Sequence, residues 1–386
     1  MRPMRICFIS HSSSKLGAER SLLEMVDALR EHGVECYVIL PSYGPLSKEL
    51  QLRGITNCNL PFKWWASNAP TLWHRVKTTL LNVFCTMIVA IKLKIWKCNI
   101  VLSNTTVICV GAFAAKLLRL PHVWYIREYG FEHLGYSFHL GENVSLKLVD
   151  RLSHVCIANS NVVAQKFRDY IIPFKLKVLY QSVMVNPVSN NDYQIGKASE
   201  MQCIIIGGVQ EGKRQEDAIR AIAELVERGM RIELIILGDG NWAYQDYLKN
   251  IIIDNKLENQ IEFVGTVDNA FPYIEKADVV LVCSRCEAFG RVTIEAMKAA
   301  KPVIGARSGG TPELIQEGFN GLLYNLMDYK DLADKIAYLY KNPEIRQQMG
   351  KNGQQWATER FNQAHYGHDL LNILAPLIKD KNSNKV

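Results

Sequence analysis

Short apolar runs separated by longer amphipathic stretches set the rhythm of this chain. Arg5–Ile9, Cys36–Leu40, Ile100–Ser103, His122–Ile126 and Val155–Ala158 are followed, after residue 200, by Cys203–Ile206, Ile232–Leu237, Ile261–Val264, Val279–Cys283 and Val303–Gly305. Runs this short and this rich in Val and Ile predict strands covered on both faces, as in parallel sheets. Stretches such as Glu19–Glu31 and Glu216–Arg228 repeat their apolar residues at helical spacing and predict the elements between the strands. The alternation predicts an α/β fold with helices on both faces of doubly wound parallel sheets.

A chain of 386 residues is expected to form two domains. The polar, turn-forming segment Val185-Asn-Pro-Val-Ser-Asn-Asn-Asp192 breaks the rhythm, which restarts at Cys203, so the boundary is expected near 184–200. The resulting organisation is a first Rossmann-like domain at 1–185, a second at 200–362, and a C-terminal helix and tail at 363–386, with Ala364–Leu377 helical and Lys379–Val386 frayed. Two such domains facing a cleft bind ligands beyond the carboxyl ends of their strands.

One helical stretch departs from the ordinary pattern. Residues 71–97 carry Leu72, Val76, Leu80, Phe84, Ile88, Ile91 and Ile95 at helical spacing, and around them sit Lys63, Trp64, Trp65, Trp73, Arg75, Lys77, Lys92, Lys94, Trp96 and Lys97. The uncharged part, Thr78–Ile91, falls short of the roughly 20 apolar residues of a spanning helix. The helix itself is read first as a core-packing element with a solvated basic face. For the Trp64–Trp65 loop, contact with an anionic membrane stands at least level with packing, because paired tryptophans in a polar loop suit a headgroup surface.

Composition narrows the setting. Hydrophobic residues make up 48% and charged residues 22%, so the core needs no disulfide staples. Ten cysteines without regular spacing predict reduced thiols in a cytosol. Cys283 and Cys286 form a Cys-x-x-Cys, but no second ligand pair accompanies it, so neither zinc nor redox chemistry is assigned. Met1-Arg-Pro-Met-Arg5 leads into an apolar run too short for a secretory leader. The net charge of +7 fits anionic substrates, an anionic membrane or plain solubility, and no nucleic-acid-binding module accompanies it, so no nucleic acid is expected as partner.

The chemistry concentrates between Ala277 and Leu322. A strand leads into Ser284-Arg-Cys-Glu-Ala-Phe-Gly290, a helix follows from about Arg291, and a second helix is expected to start at Ser308-Gly-Gly-Thr-Pro-Glu313, with Thr311 as N-cap and Pro312 as first helical residue. Two helix N-termini at one sheet edge offer unpaired N–H groups and partial positive charge to a phosphate. Gly290, Gly309 and Gly310 are expected to let backbone approach a ligand closely. Glu287 and Glu295 supply carboxylates suited to the paired hydroxyls of a ribose or sugar. Each acid alone reads more simply as solvated or as complementing the helix dipole; together with the glycines and helix starts they point to a ligand site.

Glu287-Ala-Phe-Gly-Arg-Val-Thr-Ile-Glu295 resembles the Glu-x7-Glu motif of the retaining glycosyltransferases of family 4. Lys301-Pro-Val-Ile304, Gly309-Gly-Thr-Pro-Glu-Leu-Ile315, Gly318-x-x-Gly-Leu-Leu323, Gly238-Asp-Gly240 and Phe263-Val-Gly265 extend the likeness over most of 200–345, and it is looser over 1–185. The resemblance implies the GT-B fold, two Rossmann-like domains with the donor held by the second. It implies that Glu295 holds ribose hydroxyls and Glu287 the transferred sugar. Backbone N–H groups of Phe289, Gly290, Arg291, Val292 and Thr293 would hold sugar oxygens and diphosphate, and Lys213 would neutralise the leaving diphosphate. The base would lie against backbone near Val264–Val267, Gly265 included. The family's first-domain glycine loop corresponds to Leu16-Gly17-Ala-Glu-Arg20, with Gly17 admitting donor or acceptor.

Departures are as informative. Gly208 stands where the family often has an arginine, so one phosphate contact is missing, with Arg291 as a candidate substitute. Arg127 and Glu128 occupy the strand end where the family often shows a histidine, and are taken as catalytic alongside Glu287 and Lys213; His122 is expected to point elsewhere. Val178-Leu-Tyr-Gln-Ser-Val183 replaces the usual Asn-Gly. Gly207-Gly-Val-Gln-Glu-Gly-Lys-Arg214 nearly spells a P-loop, but Arg214 replaces the metal-holding Ser or Thr. Ser10–Gly17 lacks the dinucleotide fingerprint of an oxidoreductase.

The expected activity is retaining, metal-independent sugar transfer from a UDP- or GDP-sugar to a glycan or lipid-linked acceptor hydroxyl, in bacterial surface-polysaccharide assembly. The protein is expected in the cytoplasm, with peripheral contact on the inner face of the cell membrane. The alternatives are a nucleotide-sugar epimerase or phosphorylase of the same fold, or a catalytically silent subunit of a polysaccharide-synthesis complex.

Overall fold

The computed structural model describes residues 3–129, 135–187 and 201–378. Most of the turn-forming boundary segment and the tail Lys379–Val386 lie outside them, as does Gly130. The chain divides into two units, Met1–Ser182 joined by Gln363–Val386, and Val183–Asn362.

The first unit contains β1 (Arg5–Ile9), β2 (Glu35–Leu40), β3 (Thr56–Asn59), β4 (Ala66–Ser67), β5 (Ile100–Ser103), β6 (His122–Ile126), β7 (Ser137–Phe138), β8 (Val155–Ala158) and β9 (Leu176–Val178). Seven of these form a parallel sheet in the order β3-β2-β1-β5-β6-β8-β9, and β4 pairs antiparallel with β7. The second unit contains β10 (Met201–Ile206), β11 (Ile232–Leu237), β12 (Ile261–Gly265), β13 (Val279–Val282), β14 (Val303–Ala306) and β15 (Gly321–Tyr324), all parallel in the order β12-β11-β10-β13-β14-β15. In both sheets the order reverses beside the first strand, which leaves a crevice at the carboxyl edge where α/β sheets take ligands. The central strands are buried along their length, which is why they read as continuous apolar runs.

The C-terminal helix is not a free-standing appendage. Helix Gln363–Leu374 lays Tyr366, Leu370 and Leu374 into the core of the first unit, beside Ala28 and Leu29 of helix Gly17–Glu31. A Cβ on Gly367 would lie 3.0 Å from the Ala28 carbonyl oxygen, so glycine suits the close approach of the two helices.

The packing sharpens two expectations about residues 63–97. Trp65 is buried, stacks on Trp124 with ring centroids 6.1 Å apart, and donates its indole N–H to the Thr106 carbonyl at 2.7 Å. Trp64 is half-buried and donates to the His11 carbonyl at 2.8 Å. Asn82 clamps the same loop, accepting from the Lys63 amide and donating to the Lys63 carbonyl, each at 2.9 Å. Trp65 therefore packs the fold, while Trp64 is tied to it through its indole and keeps part of its ring at the surface. Helix Leu72–Ile95 packs a face of smaller residues, burying Thr78, Asn82, Cys85, Val89, Ala90 and Leu93, and turns its bulky apolar residues outward, where a solvated basic face was expected. By length and composition it could cross a membrane, with a mean hydropathy of 1.6 over its apolar window, but 33% of that window is buried in the protein. The uncharged stretch considered alone understates its apolar length.

Candidate active site

In the second unit, the loops after β10 and β13 meet at the point where the sheet order reverses. The Arg285 amide donates to the Gly212 carbonyl at 2.8 Å, tying the two loops backbone to backbone. Lys213, ending the turn Glu211–Lys213, reaches Glu287 Oε1 at 2.5 Å, and Ser284 Oγ donates to the same oxygen at 2.6 Å. Burial pushes the Glu287 carboxyl up, but the Lys213 ammonium and the two hydrogen bonds outweigh it and hold the group below the usual carboxylate range. The sequence therefore brings Lys213 and Glu287, 74 residues apart, into one charged pair.

Arg214 explains the failed P-loop in structural terms. It sits left-handed at φ 53° and starts helix Gln215–Glu227, with its guanidinium 2.5 Å from the buried Asp217. The residue is spent on ordering the loop that carries Lys213. Behind that loop lies Gly238-Asp-Gly240. A Cβ on Gly238 would fall 2.1 Å from the Gly207 oxygen, and one on Gly240 would fall 2.5 Å from the Val209 oxygen, so these glycines are packing requirements. Gly208 is exposed, and a Cβ there would meet only the Asp239 oxygen at an ordinary 3.6 Å. Geometry thus leaves room for a side chain at 208.

Gly290 adopts φ 91° and caps helix Arg291–Lys298. The first turn of a helix leaves N–H groups without intrahelical partners, and this helix starts directly after the loop that carries Glu287. Thr293 is an exception to the expected donor row, since its amide donates to the Gly290 carbonyl at 3.1 Å. Phe289 is buried and packs edge-on against Phe361 at 5.7 Å, so only its backbone can serve a ligand. Val292 is half-buried, and Arg291 lies 3.7 Å from Glu295 one turn on. Glu295 is thus present on the first turns of this helix with an arginine beside it.

Gly309 and Gly310 have a different job from the one expected. A Cβ on Gly309 (φ 57°) would lie 2.6 Å from the Glu287 oxygen and 2.7 Å from its nitrogen, and the Gly310 amide donates to that oxygen at 2.7 Å. Ser308 Oγ donates to the Arg285 carbonyl. The double glycine presses on the Glu287 loop and holds it. Helix Thr311–Leu314 is only 4 residues long, with Gly310 as N-cap and no side-chain cap from Thr311. The helix thus starts one residue earlier than expected, with Pro312 at its second position. Gly265, at φ 81°, ends β12 with open space where its side chain would be, and its carbonyl accepts from the Gly238 amide at 2.8 Å.

Ser284, Ser308 and Asp217 are supporting residues that pattern reading missed. Ser284 had a local signal, since Ser followed three residues later by Glu is a reciprocal hydrogen-bonding spacing. Ser308 had none.

In the first unit, Gly17 opens its helix at the first helical position, behind Leu16. Arg127 is buried over the Tyr125 ring at 4.1 Å, and donates from Nε to Asn104 at 2.7 Å and from Nη1 to Gln181. Its Nη2 is buried without a partner. Glu128 accepts from the Thr106 and Arg127 amides, each at 3.0 Å, and burial pushes its carboxyl above the usual range despite those bonds. His122 lies inside the sheet layer, 2.9 Å from Ser103 Oγ, with burial driving it down to about 3, away from this corner as expected. Among the described residues no cluster of His, Cys, Asp and Glu could hold a metal ion, and all ten cysteines are free thiols.

Two family models cover the two halves: Glycosyltransferase Family 4 over residues 16–185 and Glycosyl transferases group 1 over residues 193–356. The chain belongs to the family 4 glycosyltransferases. Its fold is GT-B. Among curated relatives, the N-acetyl-alpha-D-glucosaminyl L-malate synthase of Bacillus anthracis is 30% identical over 190 residues, 49% of each chain. An uncharacterized glycosyltransferase of Methanocaldococcus jannaschii is 28% identical over 252 residues, 64% of this chain and 67% of that one. The match to the first of these spans about half of its length. Among solved structures, Anabaena HepE in complex with UDP and glucose aligns with a TM-score of 0.77 at 23% identity, covering 96% of this chain and 99% of that one. A Rickettsia africae glycosyltransferase aligns with a TM-score of 0.81 at 19% identity, covering 98% and 100%.

Proposed function

We propose that this family member transfers a sugar, with retention, from a UDP- or GDP-sugar to an acceptor hydroxyl on a glycan or lipid-linked carrier in bacterial surface-polysaccharide assembly. The observation that carries the reading is the Lys213–Glu287 pair set beside the N-terminus of helix Arg291–Lys298. A leaving diphosphate competes with Glu287 for the Lys213 ammonium and places its other oxygens on the helix N–H groups, the kind of preorganised charge that stabilises a developing anion. Glu287 is then released to accept hydroxyl hydrogen bonds from the sugar. Glu295 holds the ribose, and the backbone at Gly265 meets the base. On the first unit, Gly17, Arg127 and Glu128 are the residues proposed to serve the reaction, with Arg127 Nη2 as the unpartnered contact atom. The relatives named as glycosyltransferases and the HepE complex with UDP support a nucleotide-sugar donor.

Glu295→Ala is expected to weaken UDP or GDP binding about 10- to 100-fold in titration calorimetry, the loss of hydrogen bonds to a charged group worth roughly 1.5–3 kcal/mol. An unchanged affinity would remove Glu295 from the site. Wild-type protein incubated with a panel of nucleotide sugars and water as acceptor is expected to hydrolyse one donor slowly. Epimerised, untransferred product would favour the epimerase, and silence with every donor the non-catalytic subunit.

The proposed mechanism needs no divalent cation, because Lys213 and the helix N-terminus supply the positive charge. Donor turnover is therefore expected to survive EDTA unchanged, and a loss restored by Mg²⁺ would overturn that part of the reading.

A further inference from the structure

The outward face of helix Leu72–Ile95 is the largest feature that donor chemistry leaves unexplained. Leu72, Trp73, Val76, Leu80, Val83, Phe84, Met87, Ile91 and Ile95 are all exposed, with Leu80 at 66% and Phe84 at 63%. At 100° per residue they fall within an arc of roughly 140°, opposite the stripe that packs on the unit. A continuous apolar stripe of that length on a soluble surface marks an interaction site.

Charge selects the occupant. The helix contains no Asp or Glu, and Arg75, Lys77, Lys92 and Lys94 lie along it, with Lys63 before it and Lys97 just after. Beside its N-terminal half lies a cavity of about 570 Å³ lined by Lys63, Trp64, His74, Lys77, Leu81 and Tyr136 among others, without a single acidic residue. Neither Lys63 nor Lys77 has an ion-pair partner among the described residues. An apolar stripe with a basic border fits a lipid surface of negative charge. The packed face, with Cys85, Val89, Ala90 and Leu93 buried against the protein, favours a helix lying on a membrane over one crossing it.

We propose that helix Leu72–Ile95 lies in the plane of an anionic membrane with its exposed stripe in the acyl boundary, and that the adjoining Lys63–Lys77 cavity takes the phosphate-bearing head of a membrane lipid. The inference rests on the proposed transfer to a lipid-linked acceptor and names the surface and the head group that bring such an acceptor in. Depth is set by the bulky residues, while Lys77 and Lys94 reach headgroup phosphates by extending their stems; Arg75 is held on the packed side, donating to the Pro70 and His139 carbonyls. The cavity lies on the flank of the helix, since His74, Lys77 and Leu81 form one stripe beside the apolar arc.

The test is sedimentation with vesicles of phosphatidylcholine alone and of phosphatidylcholine mixed with phosphatidylglycerol, with UDP binding measured in parallel. Wild type is expected to bind the mixed vesicles at least about tenfold more tightly, given roughly 1 kcal/mol per basic residue near the surface. Leu80→Asp/Phe84→Asp is expected to abolish vesicle binding, and Lys63→Glu/Lys77→Glu to cost at least about tenfold more than Lys94→Glu/Lys97→Glu, which makes the same charge change away from the cavity. UDP affinity should be unchanged in every variant. Equal binding to both vesicle types, or none, overturns the membrane face. Equal losses from the two lysine pairs overturn the headgroup cavity. A dimer without vesicles that Leu80→Asp/Phe84→Asp dissolves assigns the stripe to a second copy and also overturns the proposal. Donor hydrolysis is read separately, so a failed donor site and a failed membrane face give different results.

Discussion

Lys213→Ala is expected to lower kcat/KM for the nucleotide-sugar donor by about 10²- to 10³-fold, the loss of roughly 3–4 kcal/mol of charge stabilisation on the leaving group. Most of it should appear in kcat, because the charge on the diphosphate grows as the glycosidic bond breaks. Two consequences come from the one change. The diphosphate loses its point charge, and Glu287 loses the partner that lowers its pKa. What remains around Glu287 is burial, which favours the neutral acid, and the Ser284 hydroxyl.

The pH dependence carries the sign. In wild type the Glu287 carboxyl titrates below the usual carboxylate range, so the ion pair is intact at neutral pH and the stability it brings is lost only as pH falls through that depressed value. Without Lys213 the carboxyl should titrate higher, and the acid limb of the pH–rate profile of the variant should move toward neutrality. Lys213→Arg keeps the charge but not the compact ammonium, and should recover part of the rate. A kcat/KM within a factor of about 3 of wild type for Lys213→Ala would remove the residue from leaving-group stabilisation.

The fold was readable where burial is two-sided. β1, β5, β6, β8 and β11 run over the very residues that the apolar runs mark, because a strand between helix layers has no polar face to blur the signal. β3 (Thr-Asn-Cys-Asn) and β9 (Leu-Lys-Val) were invisible for the opposite reason: they form the sheet edges, and their exposed, mixed residues carry no period. The helix at 72–95 shows a different limit. Periodicity says that one face is apolar, and it does not say what covers that face; only the position of Cys85, Val89 and Leu93 against the unit shows that the bulky stripe points away. The packing of Trp65 and the anchoring of Trp64 were hidden in the same way, since the carbonyls of His11 and Thr106 that satisfy their indoles are distant in sequence. At the site, Glu287 and Gly290 were singled out by local chemistry and Lys213 by the family resemblance; the pairing of Lys213 with Glu287 across 74 residues is what the structure adds. The duty of Gly309 and Gly310 was not legible, because it depends on the Glu287 loop crossing them at van der Waals distance.

That crossing makes Gly309 a sensitive position. Gly309→Ala is expected to cut kcat/KM about 100-fold or more and to lower the melting temperature by several degrees, although residue 309 contributes no side chain to the chemistry. The added methyl would lie 2.6 Å from the Glu287 oxygen, 2.7 Å from its nitrogen and 3.0 Å from Cys286 Sγ, and two of these three atoms are backbone that cannot swing aside. The φ of 57° adds strain of its own, roughly 1–2 kcal/mol for an L side chain in the left-handed region. Relief comes from moving the 286–288 loop, which shifts the Glu287 carboxyl away from Lys213 and weakens the Gly310 amide bond to the Glu287 oxygen. A displacement of about 1 Å at reacting groups is enough for a loss of that size. Gly212→Ala is the matched control: it lies in the neighbouring loop, has no positive φ, and a Cβ there meets nothing within 4 Å, so it should leave rate and melting temperature near wild type. Equal damage from both substitutions would mean that the loops tolerate no added bulk in general; damage confined to Gly309 would place the control of the Lys213–Glu287 geometry in the double glycine that presses on it.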